Sequence, residues 1–224
     1  MSTSGNDSPR RDVIATTLTV LAGVLVGLLR LVPHPANFSS LGALGIFSGA
    51  RLRSWNAFVL PLVVMVATDC ALWAITGDLI YSPFDVSRLF VYPAFILYVL
   101  LGKTLAASES WLRIGGTAVA GSLLFFFVTN FFEWLCQPLR GDIPAEFLYS
   151  RDLQGLLNCF VAALPFYQSE AFSLHSFLMV GHPSFMFYGT ILGDVFFTVL
   201  LFGLYGWLTR SATATEPALE PVAK

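Results

Sequence analysis

The residues in this chain that could do chemistry are few, and they sit where charge is costly. Asp69, Asn130, Glu133 and Asp194 each fall within a long apolar run. An ionised group at the centre of a bilayer costs about 2.5–3.5 kcal/mol on insertion scales, so it pairs with another group or serves a site. Asn130 and Glu133 are three residues apart, which puts both on one face of a helix. Three further polar residues lie in connecting segments: His34, Asn37 and Arg88. Pro33 and Pro35 flank His34, stiffening its backbone and fixing the imidazole. Two readings follow. In one, His34, Asn37, Asp69, Arg88, Asn130, Glu133 and Asp194 line a substrate-binding pocket open to the outside. In the other, the charges pair to fix helix packing, as Asp69 would with Arg88 or His34, and Glu133 snorkels to water.

Catalysis has no motif behind it. The chain contains no HExxH, no GxSxG, no Gly-rich phosphate loop and no CxxC. His175 and His182 are seven residues apart, a spacing that does not define a metal site. Cys136 and Cys159 would pair only if the fold brought them within reach. The expectation is therefore no catalytic residue, no metal and no cofactor. With no ATPase signature, active transport would need energy from a partner or an ion gradient. The formal net charge of −2 and the absence of a basic stripe exclude a nucleic-acid partner.

The elements that must position these residues are apolar helices. Of the 224 residues, 56% are hydrophobic and 12% charged, against roughly one quarter charged in soluble domains. Lipid must cover the excess. The apolar runs are 13–31, 39–50, 55–76, 89–105, 114–135 and 185–208. The fold class is all-α, a polytopic membrane protein of about six transmembrane helices. Its second helix is short and glycine-rich (Gly42, Gly45, Gly49), and would be tilted or re-entrant and packed against protein. Residues 153–166 are apolar but short, and would lie in the interface or dip partway into the membrane. Pro61 and Pro93 fall inside helices. Arg10 and Arg11 precede the first run, but no small-x-small cleavage site follows it, so it reads as an uncleaved helix. Residues 1–12 and 209–224 read as disordered cytoplasmic tails around one membrane-embedded domain, 13–208.

With six crossings, the basic residues segregate. Arg10, Arg11, Arg51, Arg53, Lys103, Arg113, Arg210 and Lys224 share one side, and Arg30, Arg88, Arg140 and Arg151 the other. The positive-inside rule puts the first group, and both termini, on the cytoplasmic side. The distinctive segments 34–39, 78–88 and 136–184 then face outside, as capture of something external requires. Ala15, Thr19, Gly23 and Gly27 recur every four residues, a strip of small side chains on one helix face. Such a strip admits close approach by a partner subunit or by another helix of the same chain.

The run 31–44, centred on Pro33-His34-Pro35-Ala36-Asn37-Phe38-Ser39, resembles the N-terminal signature of a family of small, functionally uncharacterised bacterial membrane proteins. Tyr92-Pro93, the run 121–131, Ala162-Ala163-Leu164-Pro165-Phe166 and Leu192-Gly193-Asp194 fit it too. More distantly, the arrangement is similar to the substrate-binding S components of energy-coupling-factor transporters. That resemblance implies six helices, capture of a micronutrient on the outer face, and docking on a transmembrane coupling subunit and ATPases through small residues of the first helix. The strip Ala15, Thr19, Gly23, Gly27 matches in kind and not residue for residue, so the architecture carries over and the substrate does not. The expected function is a membrane-embedded subunit for binding and uptake of a small molecule. The alternative is a non-transporting structural or scaffold subunit of a membrane complex.

Overall fold

The structure, a computed structural model, describes residues 7–31, 41–106, 108, 110–139, 149–163 and 186–214. Among these, seven α-helices follow in order: α1 (Asp7–Leu31), α2 (Leu41–Arg51), α3 (Asn56–Thr76), α4 (Arg88–Lys103), α5 (Trp111–Cys136), α6 (Leu153–Ala162) and α7 (Met186–Ala214). The helices follow the apolar runs, and their ends follow local chemistry. Gly77 stops α3 in the left-handed conformation at φ 68°, with its N–H on the Trp73 carbonyl, a geometry that favours glycine. Asp152 starts α6 by accepting from the Gly155 N–H. That bond, with the Ser150 hydroxyl, holds the Asp152 carboxyl below its ordinary value. Both outer boundaries expected from the sequence move. Helix α1 begins at Asp7 and α7 runs to Ala214, inside the stretches read as disordered. Proline in a first turn costs nothing, since its missing N–H has no helical partner there, and Asp7-Ser8-Pro9 opens α1.

Four helices are long and apolar enough to cross a membrane: α1, α3, α5 and α7. Helix α4, with 16 residues, and α2, with 11, are shorter, so length and composition carry four spans rather than about six. The outward faces suit lipid. Leu112 is 86% exposed and Leu21, Val63 and Phe196 are more than half exposed. Water does not tolerate a continuous apolar surface of this kind on a monomer.

Helix α2 is the exception, because Leu41 to Ala50 are all buried. It lies in the middle of the bundle, against α4. Its glycines let backbone meet backbone there. A Cβ on Gly49 would stand 2.1 Å from the Val99 carbonyl oxygen, and one on Gly102 of α4 would stand 2.2 Å from the Ile46 carbonyl oxygen. The glycines thus interlock reciprocally. On its far side, Phe47 packs edge-on against Phe202 of α7 at 5.3 Å. The strip on α1 is also used within the chain. Ala15 and Thr19 are buried, Gly23 sits over Val64 and Leu60 of α3, and Gly27 sits over Thr68. Of the two uses open to a small-residue strip, packing inside the chain is the one seen.

The interlock gives a clear expectation for stability. Alanine at Gly49 or Gly102 must push two helix backbones apart, and overpacking of this kind costs about 1–3 kcal/mol. Alanine at Gly115 or Gly116 on α5 meets nothing within 4 Å, so it should be neutral or stabilising by up to about 1 kcal/mol. Thermal unfolding of the four variants in one detergent checks the contrast. Equal effects at all four positions would contradict it.

Candidate functional site

Two buried carboxylates organise the polar interior, and each has its own network. Asp69 on α3 is 1% exposed. The Arg30 guanidinium reaches it from the end of α1, Nη2 to Oδ1 at 2.8 Å. Arg88 reaches it from the start of α4, Nε to Oδ2 at 3.2 Å. The Tyr92 hydroxyl, one turn along α4, donates to Oδ2 at 3.0 Å. Arg30 also donates to the Thr68 hydroxyl and the Met65 carbonyl, and Arg88 donates to the Ser82 carbonyl. Three helices are therefore tied at one level by one carboxylate. A charge withdrawn from water needs this density of partners, since an unpaired buried carboxylate would cost several kcal/mol.

Asp194 on α7 is 2% exposed and, among the described residues, forms no ion pair. Its Oδ2 accepts from the Tyr98 hydroxyl at 2.5 Å and the Ser122 hydroxyl at 2.7 Å. The rest of the carboxylate meets the first turn of α2. A Cβ on Gly42 would stand 2.2 Å from Oδ1, and the Ala43 N–H is turned to the same group. The first N–H groups of a helix have no partner inside it and carry the positive end of its dipole. Asp194 therefore caps α2 from another helix. The Tyr98 ring that serves it lies in a slot walled by Gly42 and Gly121, where any Cβ would come within 2.7 Å of the ring. Tyr92 and Tyr98 are six residues apart on one helix, so the two networks lie about 9 Å apart in depth.

This divides the residues expected to share one pocket. Asp69 and Arg88 are in contact, one of the pairings the sequence suggested. Asp194 belongs to a separate, enclosed network. Asn130 turns its side-chain amide back on its own helix, donating to the Phe126 carbonyl at 2.8 Å, and its backbone carbonyl accepts from the Cys159 thiol at 3.4 Å. Glu133 is half-buried, near Cys159 and Tyr149. Both belong to the contact of α5 with α6. His34, Asn37, His175 and His182 lie outside the described residues. The three cysteines are free, and among the described residues no three His, Cys, Asp or Glu side chains cluster as a metal site would need. Arg30, Tyr92, Tyr98 and Ser122 were not singled out from the sequence as site residues. One signal was there: a carboxylate inside an apolar run demands donors, and hydroxyls in neighbouring apolar runs are the ones that can reach it.

The Asp69 network predicts an ordering of stabilities. Arg30→Gln leaves a buried carboxylate with one cation instead of two, and should cost about 3 kcal/mol, the lower end for a broken buried pair. Asp69→Asn would leave Arg30 and Arg88 facing each other with no carboxylate between them, so adding Arg30→Gln to it should recover part of its cost. Tyr98→Phe withdraws one donor from Asp194 and should cost about 1–3 kcal/mol. Chemical denaturation in detergent reads them all. A double variant less stable than Asp69→Asn alone would refute the coupling.

No curated protein and no solved structure matches this chain. A profile described as a family of unknown function (DUF6580) matches residues 10–219, which takes in every described helix except the first residues of α1. The chain belongs to this family of unknown function, DUF6580.

Proposed function

We propose that this protein is a bacterial inner-membrane subunit that binds a small polar molecule at the outer end of its helix bundle and serves its uptake. Six segments would lie in the membrane, α2 being the short one, with both termini in the cytoplasm. The observation that carries the reading is the meeting of Arg30, Asp69, Arg88 and Tyr92 at the end of the bundle away from the basic residues. The residues described as 78–87 enter this cluster directly through the Ser82 carbonyl on Arg88. His34 and Asn37 follow closely in the chain after Arg30. A ligand entering here would meet guanidinium, carboxylate and phenol groups, which suit hydrogen bonding rather than nucleophilic attack. The role is therefore binding and not catalysis. Energy for uptake would come from partners, a transmembrane coupling subunit with ATPases, as the resemblance to S components implies. Docking would use a face other than Ala15 and Thr19, which are buried in the chain.

A second reading is favoured by a different observation. Both buried carboxylates find their partners inside the chain, as they would in a subunit that only scaffolds an assembly. Purification from the native host in mild detergent separates the two. Co-purifying small molecules and proteins would be identified by mass spectrometry, for the wild type and for Arg30→Gln with Asp69→Asn. Uptake predicts a polar small molecule bound to the wild type and lost from the double variant, with ATPases present. Wild-type protein that carries neither ligand nor ATPase would leave the scaffold.

A further inference from the structure

The opposite end of the bundle holds a basic cavity that the uptake reading does not use. It opens where α1, α2, α5 and α7 come together. Arg11, Arg51, Arg210, Trp111, Tyr205 and Thr209 line a space of about 270 Å³. A second space of about 740 Å³ adjoins it, sharing Arg11, Arg51 and Tyr205 and adding Arg53 and Lys103. Together the walls carry five cations against one carboxylate, Asp12. Arg51 is fixed in place between them. Its guanidinium lies 4.9 Å over the Phe202 ring and 5.1 Å over the Tyr205 ring, and it donates to the carbonyls of Leu105, Ala106 and Ser108. Arg11 and Arg210 are exposed at the rim.

The depth of this cavity says what fills it. Arg11 is the first residue of one spanning segment, and Arg210 is next to the last of another. Trp55, Trp111 and Trp207 stand at the same end, each more than half exposed, as tryptophans do at the level of lipid headgroups. Below the rim, the α5 and α7 faces present exposed Leu112, Leu200 and Leu204. Charge above and an apolar wall below match an amphiphile with an anionic head. Basic pockets between transmembrane helices take phosphate-bearing headgroups for this reason.

We propose that the cavity between Arg11, Arg51 and Arg210 is a binding site for the headgroup phosphate of an anionic phospholipid, with its acyl chains on the α5–α7 face. Arg51 would supply the preset charge, and Arg11 and Arg210 would close over the phosphate. Arg51 also holds carbonyls of its own chain, so the test leaves it intact.

The full chain, purified in detergent, would be titrated with phosphatidylglycerol, phosphatidylcholine or inorganic phosphate and examined by native mass spectrometry. The wild type should retain phosphatidylglycerol at least tenfold more strongly than phosphatidylcholine. Arg11→Gln with Arg210→Gln should lose that preference at least tenfold. Arg11→Lys with Arg210→Lys should keep most of it, and Arg151→Gln at the other end should keep all of it. Should the glutamine variant fail to fold, loss of the wild-type preference in high salt gives the same reading. Equal retention of both lipids, or an unchanged preference in the folded glutamine variant, would overturn the proposal. So would inorganic phosphate displacing the lipid at equal affinity, which would assign the cavity to a soluble phosphorylated ligand.

Discussion

A helix that starts inside a membrane protein has to find partners for its first N–H groups without water. Most of this fold follows from how α2 meets that demand. Its first turn is buried, so its donors need a fixed acceptor, and Asp194 brings a carboxylate from α7 to Gly42 and Ala43. The carboxylate in turn needs donors, and Tyr98 and Ser122 supply them from α4 and α5. Those hydroxyls can arrive only if nothing stands in the way. Gly42 and Gly121 clear the slot for the tyrosine ring. Four helices are thus committed by one capping problem, and the glycines that looked like a generic packing motif are its steric terms.

The Asp69 network is built on another principle. It balances charge with charge instead of charge with hydroxyls and a helix end, and its two arginines are partly reachable, at 18% and 14% of their side-chain surface. Asp194 is closed on every side by its own partners. The difference separates a joint closed around its carboxylate from one whose cations are partly exposed. That is why the Asp69 cluster, and not the equally buried Asp194, carries the proposal of a ligand site.

Helices were legible in the sequence because apolar runs of the right length leave few alternatives in lipid, and the segregation of arginines and lysines recurs in the structure. Arg11, Arg51 and Lys103 line adjoining cavities at one end, while Arg30 and Arg88 meet at the other. Asp69 with Arg88 was visible as a pairing because both were out of place among apolar neighbours. Arg30 was not, since at the end of an apolar run it reads as a charge already in water. Tyr98 and Ser122 were hidden for a different reason. A tyrosine and a serine in an apolar run are unremarkable until a carboxylate some 70 to 100 residues away is known to face them, and no local spacing encodes that. The separation of Asp69 from Asp194 was likewise invisible, because depth along a bundle depends on how short α2 and α4 prove to be.

The capping of α2 by α7 also bears on how the protein is made. Ala43 leaves the ribosome about 150 residues before Asp194, an interval on the order of ten seconds at 5–20 residues per second. Helix α4 is made well before the interval ends, so α2 gains its backbone neighbour first and the carboxylate that meets Gly42 and Ala43 last. A segment of 11 residues with open N–H groups is a poor guest for lipid. The first turn of α2 is therefore completed only by α7, and in a chain cut short before α7 a cysteine placed in that turn should stay open to alkylating reagents.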